Sequence, residues 1–203
     1  MKAVVLKEFG PAENLTVEKV PFPIPSDNEV LIEVKAFSVN PVDAFIRGIK
    51  DYWTFISIGT PVKPYVILGW DVAGVVTKKG KDVTRFKEGD EVFGMIKFLG
   101  AGAAYAQYVS APETDFALKP SNVGFEEAAA ATMAAQTAYV SLVRYGKVKK
   151  GDKVVITGAS GGVGHYAVQI AKHLGAYVIG VASGEHRDFV LGLGADEFAD
   201  YTT

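Results

Sequence analysis

The stretch VVITGASGGVGHYAVQIAK, Val154 to Lys172, runs from β-branched residues through a cluster of glycines into apolar residues at helical spacing. Val154, Val155 and Ile156 suit a buried strand, and Ala167, Val168, Ile170 and Ala171 recur at the intervals of one helix face. Glycines at such a junction let the chain turn tightly, let a pyrophosphate approach the backbone and let the helix pack close to the strand. The helix N-terminus then supplies oriented N–H groups and partial positive charge. Gly161 and Gly164 take the second and third glycine places of a dinucleotide-binding turn, while Ala159, preceded by Gly158, takes the first. A strict G-x-G-x-x-G is therefore absent, and a tight turn with close helix packing is the competing reading of the motif alone.

The residues downstream place this turn in a series. After it come a strand in AYVIGVA, a short helix from about Glu185 to Leu193 and a strand in EFADY. Strands alternating with helices predict βαβ units and a parallel sheet. Upstream, FEEAAAATMAAQTAYVSLVRYG predicts a helix from Phe125 to Tyr145, with acids at its start and Arg144 near its end, expected to be internal. Before Lys119 the chain reads as strands: KAVVLKEF, LTVEKV, EVLIEVKAFSVN, YVILGWDVAGVVTKKG and AAYAQYVSAP, with PFPIP and KEGDEVFG as punctuation. The expected organisation is a β-rich domain over residues 1–119 and an α/β domain over residues 120–203.

Composition narrows the partners. The 203 residues include 21 basic and 23 acidic side chains, a net charge of −2, and no basic run that would track a phosphate backbone. Nucleic acid is excluded as an expected partner, and so is a membrane, because the uncharged stretch Ala128 to Val143 is too short to span one. The N-terminal apolar run is too short for a signal peptide, which points to the cytoplasm. The chain has no cysteine, and its three histidines, His165, His173 and His186, all lie in the second domain.

Taken in order, SVNPVDAFIRG, PYVILGWDVAGVV, GKDVTRFKEGDEVFG, AAYAQYVSAPE and TGASGGVGHYAVQIAKHLGA resemble the medium-chain dehydrogenase/reductase superfamily, most closely its zinc-independent quinone oxidoreductase-like branch. The resemblance implies a GroES-like β domain followed by a Rossmann domain, a doubly wound parallel sheet, with substrate and NADPH bound between them. Where zinc-dependent members carry a Gly-His-Glu stretch, this chain has Gly69, Trp70 and Asp71. No zinc site is expected. Reducing an isolated ketone localises charge on oxygen and calls for a Lewis acid, whereas a quinone or α,β-unsaturated carbonyl spreads that charge over a conjugated system. The expected activity is hydride transfer from NADPH to a quinone or enone. The open alternatives are a non-catalytic dinucleotide-binding or scaffold protein, and an enoyl reductase acting on acyl chains.

Site residues follow by the same resemblance. Asn40 matches an asparagine near the nicotinamide, or else ends a strand before Pro41; Asp43 orients neighbouring groups or is a helix-start acid. Tyr52 matches a substrate-side tyrosine, or else is an aromatic lid with no proton role, and Phe45, Trp53 and Phe55 are aromatic walls or a plain core. Thr137 matches a threonine near the nicotinamide carboxamide, or else bonds its own helix backbone. Gly158, Ser160, Gly161, Gly162, Val163 and Gly164 form the phosphate turn. Ser183 stands where an NAD enzyme has its acid, and His186, Arg187 and Tyr201 suit a 2′-phosphate, so NADPH is expected; Glu185 is the residue that speaks for NADH. The chain stops after what should be the third Rossmann strand, so a longer biological form is expected, and a homodimer and a monomer are equally open.

Overall fold

Alternating apolar residues build the N-terminal part of the chain into antiparallel strands. In the computed structural model, which describes residues 1–49, 65–98, 100 and 102–203, β1 (Lys2–Leu6) pairs with β2 (Leu15–Lys19), Val4 opposite Val17. A five-stranded sheet follows in the order β6-β3-β4-β5-β7, made from β3 (Glu29–Phe37), β4 (Asp71–Lys79), β5 (Glu91–Met95), β6 (Tyr108–Pro112) and β7 (Ala117–Leu118). KEGDEVFG is thus more than punctuation, because its second half is β5.

Two-residue periodicity sorts β4 into two faces. Val72 and Val76 join Val30, Ile32, Val92, Val109 and Phe116 in the main core of the sheet. Ala73 turns the other way and packs with Ala128 and Ala129, near the start of α2 (Phe125–Tyr139). That contact explains why the two compact units divide inside α2, at Thr132 and Met133, later than the expected boundary at residue 119.

The predicted helix at 125–145 is not uniform, nor is it wholly internal. Its last part, Val140–Tyr145, widens into a π-helical turn, with Gly146 N–H donating to Ser141 O at 2.8 Å. Ala128, Ala129, Thr132, Ala138 and Leu142 are buried, whereas Tyr139 and Tyr145 are exposed. Small alanines permit close packing only on the face that meets a partner.

The second unit contains β8 (Lys153–Thr157), α3 (Gly164–His173), β9 (Tyr177–Ala182), α4 (Arg187–Gly192) and β10 (Glu197–Asp200). Its sheet is parallel in the order β10-β9-β8. Val168, Ala171, Val178, Val190 and Ile156 form the core beneath it. α3 begins at Gly164, leaving Gly161 and Gly162 in the turn.

Between β3 and β4, α1 (Pro41–Gly48) starts from Asn40. Pro41 suits the first helical position, where its missing N–H costs nothing. Asn40 N–H donates to Asp43 Oδ2 at 2.7 Å, and Asp43 N–H to the Asn40 carbonyl at 3.0 Å. The cap requires a buried carboxylate, since Asp43 is only 3% exposed. Burial raises its pKa above the ordinary aspartate value; the Asn40 N–H and the Tyr105 hydroxyl oppose that shift, and the charge of Asp71 adds to it.

An acid whose folded pKa is raised binds its proton more tightly in the folded state. Ionised Asp43 therefore costs stability at neutral pH, and the cost disappears as pH falls through the folded pKa towards the unfolded one. Asp43→Asn keeps an oxygen for the Asn40 N–H and removes the titration. The stability of the native chain relative to Asp43→Asn should accordingly rise between about pH 7 and about pH 4. Urea midpoints of the two proteins measured across that range check this; a constant difference would mean that Asp43 is not desolvated.

Candidate functional site

The register of β3 on β4 assembles the polar cluster of the first unit. Phe37 lies opposite Val72, so the chain leaving β3 at Ser38 runs beside Asp71. Ser38 Oγ donates to Asp71 Oδ2 at 2.6 Å, Asn40 Nδ2 donates to the same oxygen at 2.8 Å, and Asn40 Nδ2 also reaches Ser38 Oγ at 3.1 Å. Asp71 is fully buried, whereas Asn40 is half-buried and keeps a face to solvent. Val39, which precedes it, and Phe45, on the helix it starts, are exposed apolar residues.

Tyr105 joins the cluster from the far side of Asp43. Burial, then the Asp43 carboxylate, pushes its phenol well above the ordinary tyrosine range, so it stays protonated. Its hydroxyl acts on Asp43 electrostatically, yet Tyr105 Oη and Asp43 Oδ1 are both buried without a hydrogen bond of good geometry. Phe37 packs against the Tyr105 ring, with centroids 4.7 Å apart.

Trp70 fills the position where zinc-dependent relatives are expected to carry histidine. It is fully buried, its Nε1 donates to Gly100 O at 3.0 Å, and Phe98 meets it edge-on at 5.7 Å. Among the described residues no group of three or more His, Cys, Asp or Glu side chains is placed to hold a metal ion. Tyr52, Trp53 and Phe55 lie outside the described residues.

In the second unit, the carboxyl ends of β8 and β9 carry the cofactor candidates, which is where parallel sheets bind ligands. Gly158 turns the chain with φ 63°, a conformation that favours glycine. Buried Ala159 donates its N–H to Val181 O at 3.0 Å and so ties the turn to the next strand. Gly164 is required by space: a Cβ there would overlap the Gly158 carbonyl. Gly161, Gly162 and Val163 are exposed at the head of α3, beside half-buried Ser160, and a Cβ at Gly162 would meet nothing within 4 Å. The turn thus combines tight internal packing with an open backbone.

Next to it, Ser183 follows β9 and donates through Oγ to Glu185 Oε1 at 3.3 Å, while His186 Nε2 lies 3.7 Å from the same oxygen. Arg187 sits over the Phe198 ring at 5.5 Å. Tyr201 N–H reaches Ala182 O at 3.4 Å, which holds its backbone beside the end of β9, and its side chain is exposed. Asp200, not anticipated from sequence, accepts from Thr202 Oγ1 at 2.6 Å and from Thr202 N–H at 2.8 Å, and these bonds hold its carboxyl below the ordinary range. Thr137 Oγ1 donates to Met133 O at 2.7 Å, the backbone bond of a helix-interior threonine, and its side of α2 is exposed.

The structure therefore gathers Asn40 and Asp43 in one unit, and Ser160 to Gly164 with Ser183, His186, Arg187 and Tyr201 in the other. Ser38, Asp71 and Tyr105 were missed as members of the first group. The signal for Asp71 was an acid inside an otherwise apolar strand, where a charge demands donors.

Known proteins share both units. The alcohol dehydrogenase GroES-like domain matches residues 26–121, and the zinc-binding dehydrogenase family matches residues 162–203. The quinone oxidoreductase of Sus scrofa is 40% identical over 203 residues, covering 97% of this chain and 57% of that protein. The chloroplastic NADPH-dependent alkenal/one oxidoreductase of Arabidopsis thaliana is 37% identical over 210 residues, covering 100% of this chain and 53% of that protein. The crystal structure of Escherichia coli quinone oxidoreductase complexed with NADPH superposes with a TM-score of 0.85 at 29% identity, covering 100% of this chain and 59% of that one. The chain spans less than two thirds of the length of each of these relatives. With a GroES-like β unit, a Rossmann-type unit and these relatives, the chain belongs to the medium-chain dehydrogenase/reductase superfamily, among its quinone oxidoreductase-like members.

Proposed function

We propose that the chain is the substrate-domain and early nucleotide-domain portion of an NADPH-dependent reductase of quinones or other α,β-unsaturated carbonyls that works without zinc. The observation that carries the reading is the turn before α3, whose buried side is closed by Gly164 against Gly158 while Gly161 and Gly162 leave backbone accessible at a helix N-terminus. Such a cradle fits a pyrophosphate. The relatives' names support the acceptor class: one is a quinone oxidoreductase and another an alkenal/one oxidoreductase dependent on NADPH.

Gly161, Gly162 and Val163 would hold the pyrophosphate through backbone N–H groups. Arg187, His186, Ser183 and Tyr201 would surround a 2′-phosphate at the end of β9. Glu185, the residue favouring NADH, has its carboxylate turned to Ser183 and His186, which supports the phosphate-bearing cofactor. When bound, NADPH supplies the hydride. Asn40 would orient the bound ligand, and Phe45 would offer an exposed apolar surface to a flat acceptor. Zinc independence is supported by Trp70, which occupies the ligand position with an indole already satisfied by Gly100. One of these relatives is chloroplastic, so the comparisons favour no one compartment for this chain.

Fluorescence titration with NADPH and NADH, followed by turnover of a simple quinone, tests the reading on this chain and on any longer form in which it occurs. Preferential NADPH binding with quinone reduction in at least one form is expected; well-folded protein that binds neither nucleotide would leave the scaffold alternative in front. Gly162→Ala separates fold from binding, because its new methyl meets no protein atom within 4 Å. Its urea midpoint should match that of the native chain, while its NADPH dissociation constant should rise by about tenfold. Unchanged affinity would show that the pyrophosphate does not approach this backbone.

A further inference from the structure

The loop after β9 carries Ser183, His186 and Arg187. Two of its bonds stay within the loop: His186 N–H donates to Ser183 O at 2.9 Å, and Ser183 Oγ donates to Glu185 Oε1 at 3.3 Å. Contacts from β10 tie the loop to the sheet. Phe198 and Asp200 stand two residues apart on that strand and so share a face. The Phe198 ring lies under the Arg187 guanidinium, 5.5 Å from it. Asp200, in register with Ala182, sets Oδ2 so close to Gly184 that a Cβ there would overlap it. Apart from the chain neighbours of Gly184, Asp200 supplies every atom within 4 Å of that Cβ. Gly184 has no left-handed φ, so the glycine answers to the carboxylate rather than to a backbone angle.

The carboxylate is fixed from its own strand as well. Thr202 Oγ1 and N–H both donate to Oδ1, at 2.6 and 2.8 Å, while Oδ2 faces Gly184. The Thr202 hydroxyl and N–H, and after them the Gly184 N–H, favour the ionised form, so Asp200 is charged at neutral pH. Tyr201 stands between Asp200 and Thr202, inside the turn that these bonds close. One carboxylate thus touches both stretches of chain that supply the proposed 2′-phosphate residues.

We infer that Asp200 is a positioning residue for nucleotide selectivity: seated between Thr202 and Gly184, it fixes the Ser183–Arg187 loop and Tyr201 relative to one another, so that they meet the 2′-phosphate that distinguishes NADPH from NADH. The inference rests on the proposed reading of those residues as the 2′-phosphate site. By charge alone an anion beside that site opposes the phosphate, so the clamp and the charge predict opposite effects of removing Asp200.

The contact is tested without ligand. Gly184→Ala should lower the urea midpoint of the native chain, yet leave it no lower in an Asp200→Ala background, where the new methyl meets no carboxylate. Equal costs in the two backgrounds would overturn the clamp.

Fluorescence titration tests the role, in whichever form of the protein binds nucleotide. Asp200→Ala should raise the NADPH dissociation constant about tenfold and leave that for NADH within about twofold. A general loosening of the unit would weaken both nucleotides alike and so overturn the selectivity role; tighter NADPH binding, the result of lost charge alone, would overturn it too. Thr202→Val keeps the charge and removes the Oγ1 bond, and there NADPH binding should weaken by about threefold. Native protein that prefers NADPH, with the same preference in Asp200→Ala, would overturn the inference and leave the proposed function standing. Native protein that binds neither nucleotide would overturn the proposed function and the selectivity role together, while the stability cycle still judges the clamp.

Discussion

A carboxylate removed from water has to be surrounded by donors, and in the first unit that requirement shapes everything near Asp71. β4 is buried on both faces, so Asp71 at its start has no solvent to turn to. The antiparallel register brings Ser38 and Asn40 to it, and the chain can cap α1 only because Asn40 is already held at that point. Asp43, one helical turn on, then closes the cap from the other side and takes on its own desolvation. Asp71 adds to the cost of ionising Asp43, and the arrangement persists because each acid is tied to a different part of the same short segment.

The second unit obeys a steric constraint in place of an electrostatic one. Gly164 lets α3 begin against the Gly158 carbonyl, and Ala159 ties the same turn to β9. These contacts fix the head of α3 at the carboxyl edge of the sheet. The exposed glycines are therefore held by packing on their inner side and free on their outer side, which is the condition a phosphate site needs: little reorganisation when the ligand arrives.

Elements with a clear period were legible in the sequence. The strands of both units and α3 lie close to where apolar alternation and glycine breaks put them, because these signals depend on neighbours within a few residues. The π-helical end of α2 was not legible, since VSLVRY has ordinary helical spacing and the widening appears only in backbone bonds such as Gly146 to Ser141. The phosphate turn could be read because its residues are consecutive. The Ser38, Asn40 and Asp71 ring could not, for its members are joined by strand register across 33 positions of chain. Asn40 and Asp43 were visible singly; the tie between Asn40 and Asp71 was not.

Under the proposed reading, which does without zinc, the same local geometry gives this segment a different part to play. Trp70 precedes Asp71 directly, so the indole and the carboxylate leave the extended chain in opposite directions, as successive strand residues do. The indole is sealed by Gly100 O and Phe98, and a Cβ on Gly102 would lie 2.9 Å from its Nε1, so Gly102 is needed to admit the indole. On the opposite side Asp71 is committed to Ser38 and Asn40. This residue pair packs one loop and ties down one amide. Under the proposed reading, ordering of the ligand then replaces Lewis-acid polarisation as the contribution of this segment. That exchange suits a conjugated acceptor, whose own π-system disperses the charge that a metal would otherwise have to meet.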